Sequence, residues 1–176
     1  MKDKVFFFVD WWYFYRWVKR LGAENINLKN ICEKIAWNRE IVWICYYVWE
    51  IDIHMWKDKK AREYYTDLRV KQQHFLSKLK ESWVDYKLWY FNKWWDTEKS
   101  VDMLLACDMI EKAIDNVFDV WIIITWDGDF YPAIDLAQRK LKKVILNWAF
   151  KWYFAKTLMN KCDRFFFIDD KVKTYN

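Results

Sequence analysis

The chain has 176 residues, a formal net charge of +5 and 55% hydrophobic residues, which fits one folded domain with a sizeable core and argues against disorder. Its apolar runs are far shorter than the roughly 20 residues of a membrane-spanning helix, and the first ten residues show no secretory signal. The four cysteines are scattered without a Cys-x-x-Cys pair, which disfavours zinc and disulfide frameworks and predicts a cytoplasmic protein. The mild positive charge favours a polyanionic partner.

Short apolar runs alternate with longer helical patterns along the chain. The runs that predict β-strands are Val5–Val9, Ile41–Val48, Tyr86–Phe91, Val120–Thr125, Val144–Leu146 and Phe165–Ile168. The patterns that predict helices are Tyr13–Leu21, Leu28–Ala36, Lys59–Ser82, Val101–Ile114, Pro132–Lys140 and Phe154–Asn160. This alternation is typical of βαβ units, so we predict a three-layer α/β/α fold with a central, mainly parallel sheet, in a single domain over residues 1–176.

Tryptophan and glycine occur in unusual numbers. The chain has 15 Trp and 2 Gly, whereas an average glycine content of about 7% would give roughly a dozen glycines. Trp83 falls between a helical pattern and a strand pattern, where a left-handed helix C-cap is expected, and a bulky residue in that conformation costs about 1–2 kcal/mol. A sequence altered at glycine positions and an unusual natural composition both account for this pattern.

Aspartates lie where two predicted strands end. Asp10 closes the first strand, and Asp127 and Asp129 follow the fourth strand in the stretch IIITWDGDF. In open parallel sheets, functional groups gather at the carboxyl ends of the strands, near the point where the strand order reverses. If the first and fourth strands are neighbours, these side chains converge on one crevice. Asp102 is expected there too, in the first turn of a helix with Ser100 as its N-cap.

The aspartates have two interpretations. Each one alone could cap a helix, shape a turn or complement a helix dipole. Three or four carboxylates in one cleft, however, repel one another unless a cation compensates their charge. The expected cofactor is Mg²⁺ or Mn²⁺, because these hard ions prefer oxygen ligands and keep several waters. Such a site can bring a water to a phosphodiester and stabilise both the attacking and the leaving oxygen.

Four motifs, in this order, resemble the NYN domain of the LabA-like branch of the PIN-like nuclease superfamily. They are VFFFVD, KSVDMLLACDMI, DVWIIITWDGDFYPAIDLAQRKLKKVIL and KCDRFFFID. The resemblance implies a PIN-like fold and a metal-dependent ribonuclease. It also implies that the acidic metal ligands and catalytic residues are Asp10, Asp102, Asp127 and Asp129.

The sequence departs from the family pattern beside these aspartates. The family usually has a glycine and then an asparagine after its first aspartate, whereas this chain has Trp11 and Tyr13 at those positions. Trp126 stands where a small residue normally precedes the acidic pair. Large indoles beside the metal site favour an alternative function, a catalytically weak NYN-like module that binds RNA or a protein partner.

Basic residues form clusters that could contact an RNA backbone by charge, without reading its sequence. The residues predicted to bind RNA are Lys57, Lys59, Lys60, Lys99, Arg139, Lys142 and Lys143. Each of them could instead simply keep the surface solvated. No Ser/His/Asp arrangement, nucleophilic Cys/His pair or P-loop is present, and the DGD stretch lacks the glycine-rich loop that a nucleotide-sugar transferase would need. RNA is therefore the expected partner, without a membrane, and the sequence is compatible with a homodimer.

Overall fold

A computed structural model of the chain describes residues 2–23, 26–55, 57–90 and 97–173. Within these ranges the chain forms a six-stranded sheet in the order β3-β2-β1-β4-β5-β6, and all neighbouring strands run parallel. The strands are β1 (Lys4–Asp10), β2 (Glu40–Glu50), β3 (Asp85–Tyr90), β4 (Val120–Ile124), β5 (Val144–Ala149) and β6 (Arg164–Phe167).

Seven α-helices connect or follow these strands in the described ranges. They are α1 (Trp11–Arg20), α2 (Leu28–Ile35), α3 (Lys59–Glu81), α4 (Thr97–Ile114), α5 (Tyr131–Leu141), α6 (Lys156–Lys161) and α7 (Asp169–Lys173). Two short 3₁₀ helices, Ile53–Met55 and Gly128–Phe130, follow β2 and β4. Among the helices described, none combines the length and the apolar character needed to cross a bilayer.

Helices cover both faces of the sheet, which makes three layers. Strand β1 alternates between two buried clusters, with Val5, Phe7 and Val9 in one and Phe6 and Phe8 in the other. The first cluster also contains residues of α1, α2, α3 and α7, and the second contains residues of α4, α5 and α6. A central parallel strand buried on both sides reads as a continuous apolar run, as VFFFV does. The predicted three-layer α/β fold is confirmed.

The structure corrects the prediction at the start of α4. This helix begins at Thr97, so Ser100 lies inside it, and the prediction that Ser100 is its N-cap is wrong. Nothing in the sequence Thr97–Lys99 breaks a helix, and the pattern simply extends by one turn. Asp102 consequently lies in the second turn of α4. Phe91, the predicted end of the third strand, falls outside the described residues.

Two tryptophans occupy backbone conformations that favour glycine. Trp83 has a φ of +60°, and Trp37 has a φ of +56° directly after the C-cap of α2. At the end of α3, the backbone N–H of Val84 donates to Leu79 and that of Trp83 donates to Lys80. These are the two hydrogen bonds of a Schellman motif, in which Trp83 takes the position where glycine is usual. The predicted left-handed C-cap at Trp83 is confirmed.

Candidate active site

The candidate site lies where the strand order of the sheet reverses. Strand β1 pairs with β2 on one side and with β4 on the other, so the connections from β1 and β4 leave the sheet in opposite directions. Open α/β sheets bind ligands in the crevice outside the carboxyl ends of such strands. Asp10 is the last residue of β1, and Asp127 comes three residues after the end of β4. The first and fourth strands are neighbours, which was the condition for these aspartates to converge.

Carboxylates from three elements line one crevice at this point. Asp10 comes from the end of β1, Asp102 from α4 and Asp127 from the segment after β4. All three are partly buried. Asp129, in contrast, is exposed and is not among the residues that line the crevice. The aromatic residues that also line it are Trp11, Trp12, Tyr47, Trp49 and Trp126.

Thr125 connects two of these aspartates. Its hydroxyl donates to Oδ2 of Asp10 at 3.0 Å and accepts a hydrogen bond from the backbone N–H of Asp127 at 3.1 Å. Thr125 itself is fully buried. One side chain therefore fixes the end of β1 relative to the segment that follows β4. Sequence reasoning did not single out Thr125.

The two aspartates of the DGD stretch form a tight turn. Oδ1 of Asp127 accepts the backbone N–H of Asp129 at 2.8 Å and so caps the 3₁₀ helix Gly128–Phe130. A Cβ atom on Gly128 would lie 2.8 Å from Oγ1 of Thr157, closer than unbonded atoms tolerate. The Oγ1 atom belongs to the exposed side chain of Thr157, so a larger residue at Gly128 would displace that side chain. The acidic pair thus has a structural role in addition to any role in binding a metal.

The donor set has the right chemistry for a hard divalent cation. Carboxylate oxygens from separate elements line one crevice, and Mg²⁺ and Mn²⁺ prefer such ligands. In the part of the chain that the structure describes, however, no three His, Cys, Asp or Glu side chains stand close enough to hold a metal ion. Binding a shared ion would therefore require the aspartate side chains to turn towards it.

The aromatic residues that depart from the family pattern are packed into the fold. The hydroxyl of Tyr13 accepts from the backbone N–H of Phe150 and donates to the carbonyl of Tyr153 at 2.7 Å, so it ties α1 to the end of β5. Asp10 is instead oriented as the N-cap of α1, where it accepts the backbone N–H of Tyr13 at 3.4 Å. The ring of Trp126 lies 4.5 Å from that of Tyr153. The indoles beside Asp10 and Asp127 therefore have defined partners.

A buried ion pair lies beside the crevice. Asp108, on α4, accepts a hydrogen bond from the hydroxyl of Tyr47 at 2.8 Å. It also forms an ion pair with Lys87 at 2.6 Å. Burial raises the pKa of the Tyr47 phenol, so this group stays protonated and donates. Tyr47 also lines the crevice, so this network helps to hold one of the crevice's lining side chains in place. The arrangement joins α4 to β2 and β3, and sequence reasoning did not find it.

Three of the predicted RNA-binding residues lie at the same edge of the sheet as the aspartates. Lys57, Lys59 and Lys60 are exposed at the start of α3, which follows the carboxyl end of β2. The side chain of Lys99 lies outside the part of the chain that is described.

The other three predicted residues lie at the opposite edge. Helix α5 starts beyond the carboxyl end of β4 and runs back to the amino end of β5. Its 11 residues make it about 16 Å long. Arg139, Lys142 and Lys143 are at its far end. The amino group of Lys143 is also buried and donates to Asn116 at 2.6 Å and to the carbonyl of Phe118. The structure does not bring these three residues to the aspartates.

The fold and the crevice define a parallel α/β protein with an acidic site at the switch point of its sheet. The chain belongs to the NYN domain family, whose sequence model matches residues 4–169. NYN domains are part of the PIN-like nuclease superfamily, whose members generally depend on divalent metals.

Other comparisons add the fold alone. No curated protein matches the chain significantly in sequence. A crystal structure of a protein of unknown function from Vibrio parahaemolyticus RIMD 2210633 is similar, with a TM-score of 0.69 and 23% identity. The similarity covers 96% of this chain and 94% of that chain. At this sequence identity, the similarity supports the three-layer fold and indicates nothing about function.

Proposed function

We propose that the protein is a Mg²⁺- or Mn²⁺-dependent ribonuclease that cleaves RNA phosphodiester bonds in the crevice between β1 and β4, with the cytoplasm as its location. The observation that carries this proposal is that Asp10, Asp102 and Asp127, from three separate elements, line one crevice at the switch point of an NYN domain. Carboxylates brought together from distant parts of a chain repel one another, and a divalent cation removes that repulsion.

Different residues in and near the crevice would have different roles. Asp10, Asp102 and Asp127 would hold the metal, which when bound lowers the pKa of a water and stabilises the charge on the reacting oxygens. Asp129 is exposed two residues after Asp127, and its carboxylate would hold metal or orient the attacking water. Thr125 keeps Asp10 and Asp127 in register. Lys57, Lys59 and Lys60 contact the RNA backbone at the same edge of the sheet.

A catalytically weak module that binds RNA or a protein partner is the second candidate. Two observations favour it. Trp11 and Trp126 fill positions where the family has small residues, and both line the crevice. Within the described residues, no group of side chains already stands at metal-binding distance. In this candidate function, the site still binds a partner and does not catalyse cleavage.

A cleavage assay separates the two candidates. An end-labelled single-stranded RNA is incubated with the wild-type protein and Mn²⁺, with and without EDTA, beside Asp127→Asn. The matched control is Asp67→Asn, an equal change at an exposed aspartate of α3. The nuclease predicts cleavage by the wild type and the control, and none with EDTA or Asp127→Asn. RNA binding without cleavage supports the second candidate. Neither binding nor cleavage overturns the nuclease and leaves only binding to a protein partner.

A further inference from the structure

The exposed side of α1 carries a tryptophan and three cations. Trp12, Arg16, Lys19 and Arg20 are all exposed, and the sequence of the helix from Trp11 to Arg20 contains no acidic residue. At 3.6 residues per turn, positions 12, 16, 19 and 20 form one stripe about 12 Å long. Among the described residues, none of the three cations lies within salt-bridge distance of an acidic side chain. The stripe is therefore a continuous basic surface that begins with an indole.

This stripe, formed by Trp12, Arg16, Lys19 and Arg20, starts at the acidic crevice. Trp12 lines the crevice together with Asp10 and Asp127, and 40% of its surface is exposed. The guanidinium of Arg16 lies 5.8 Å from the centre of the Trp12 ring. Trp12 also packs at 5.6 Å from the ring of Trp11, which is buried. The indole thus packs against Trp11, and the guanidinium of Arg16 lies over its ring.

We propose that this stripe binds single-stranded RNA, with an unpaired base stacked on Trp12 and the following phosphates held by Arg16, Lys19 and Arg20. The inference rests on the proposed function and names its substrate as a single strand. Bases stack on exposed aromatic side chains whatever their identity, and cations beside the ring add to the attraction. The bases of a duplex are stacked on one another, so they are not available to an indole.

The position of the stripe favours RNA over a protein partner. A protein would have to supply acidic groups to the cations, and these groups would meet the carboxylates of the crevice at the stripe's other end. An RNA strand supplies phosphates along the cations and places one phosphodiester at the crevice, where a divalent cation offsets the charge of the aspartates. One extended polyanion therefore suits both ends of the surface.

Binding measured without cleavage tests the stacking contact. A fluorescently labelled single-stranded RNA and a duplex of the same length are titrated in EDTA and followed by anisotropy. We expect Trp12→Ala to weaken single-strand binding by about 5-fold to 150-fold and Trp12→Phe to restore most of it. Duplex binding should not change. Trp83→Ala is the matched control, because Trp83 is 85% exposed and follows the far end of α3.

A second variant tests the cations. The triple change Arg16→Gln, Lys19→Gln and Arg20→Gln removes three charges and leaves Trp12 in place. For single strands, each phosphate contact contributes about 0.7 to the slope of log affinity against log salt, so the slope should fall by about 2. An unchanged slope would show that these residues do not contact phosphates and would overturn that part of the inference.

The outcomes distinguish this inference from the proposed function. Thermal unfolding of each variant confirms that it is folded. If Trp12→Ala binds the single strand as the wild type does, or loses the duplex equally, the stacking contact is wrong even where Mn²⁺-dependent cleavage persists. If binding depends on Trp12 while the wild type cleaves no RNA, RNA binding by the stripe is supported and the proposed ribonuclease activity is overturned. Wild-type protein that binds an acidic protein and no RNA overturns the inference.

Discussion

The hydroxyl of Thr125 donates a hydrogen bond to Oδ2 of Asp10 at 3.0 Å, across the boundary between β4 and β1. The hydroxyl oxygen of Thr125 also accepts a hydrogen bond from the backbone N–H of Asp127 at 3.1 Å. Two aspartates that are far apart in the chain thus contact one buried side chain, Asp10 through its carboxylate and Asp127 through its backbone N–H. Groups that orient metal ligands in this way typically change metal affinity or activity by about 10-fold to 100-fold when they are removed.

Replacing Thr125 with valine should therefore impair the site. Thr125→Val keeps the shape of the side chain and removes the hydroxyl, so we expect a loss of Mn²⁺-dependent cleavage of about 10-fold to 100-fold. Stability should fall by about 1–3 kcal/mol, since the N–H of Asp127 loses its partner. Thr125→Ser keeps the hydroxyl and should retain most of the activity. Cleavage rates measured over a range of Mn²⁺ concentrations check this, and equal rates for Thr125→Val and wild type would contradict it.

The ion pair between the buried Asp108 and the partly exposed Lys87 should contribute more to stability than a fully exposed pair of the same length. The side chain of Asp108 is 5% exposed and its distance to Lys87 is 2.6 Å, whereas Lys71 and Asp67 pair at 2.7 Å on the surface. Asp108→Asn leaves the Lys87 charge without compensation in a partly buried position, so we expect a loss of about 2–3 kcal/mol.

Asp67→Asn is the control for this comparison and should cost less than about 0.5 kcal/mol, because the pair is exposed and lies one turn apart on α3. Both values come from urea unfolding followed by circular dichroism. Equal effects of the two substitutions would show that burial of Asp108 does not matter and would contradict the structure.

The strands could be located from the sequence because each is a short apolar run, but the end of β5 could not. The prediction stopped at Leu146 because Asn147 is polar. In the structure Asn147 is buried, and its amide donates to the carbonyls of Ile123 and Thr125 at the end of β4. A polar residue satisfied by a neighbouring strand looks the same in sequence as a residue of a loop.

The site residues also fall into those that the sequence could place and those that it could not. Asp10 and Asp127 could be placed from the sequence, since Asp10 ends β1 and Asp127 comes three residues after the end of β4. The contacts of Thr125 depend on which strands are neighbours, and no local pattern records that. Arg139 and Lys142 were grouped with the aspartates because they are basic. The direction of α5 carries them to the other edge, which follows from the course of the chain rather than from composition.

Trp83 should destabilise the protein through its backbone alone. Its φ of +60° favours glycine, and 85% of the side chain is exposed, so little packing is lost on removal. We expect Trp83→Gly to stabilise the protein by about 1 kcal/mol, which for a chain of this size raises Tm by about 2–4 °C. Trp83→Ala keeps the Cβ atom and should give a much smaller gain. A Tm that is equal for both variants would contradict this account of the strain.

The most direct measurement is the position of Mn²⁺ in a crystal of the protein, found from its anomalous scattering after a soak. The account predicts a peak in the crevice between β1 and β4, within coordination distance of carboxylate oxygens of Asp10, Asp102 and Asp127, and no such peak in crystals of Asp127→Asn. A wild-type crystal with no peak in the crevice, or with Mn²⁺ held only by other residues, would contradict the claim that these aspartates share a metal.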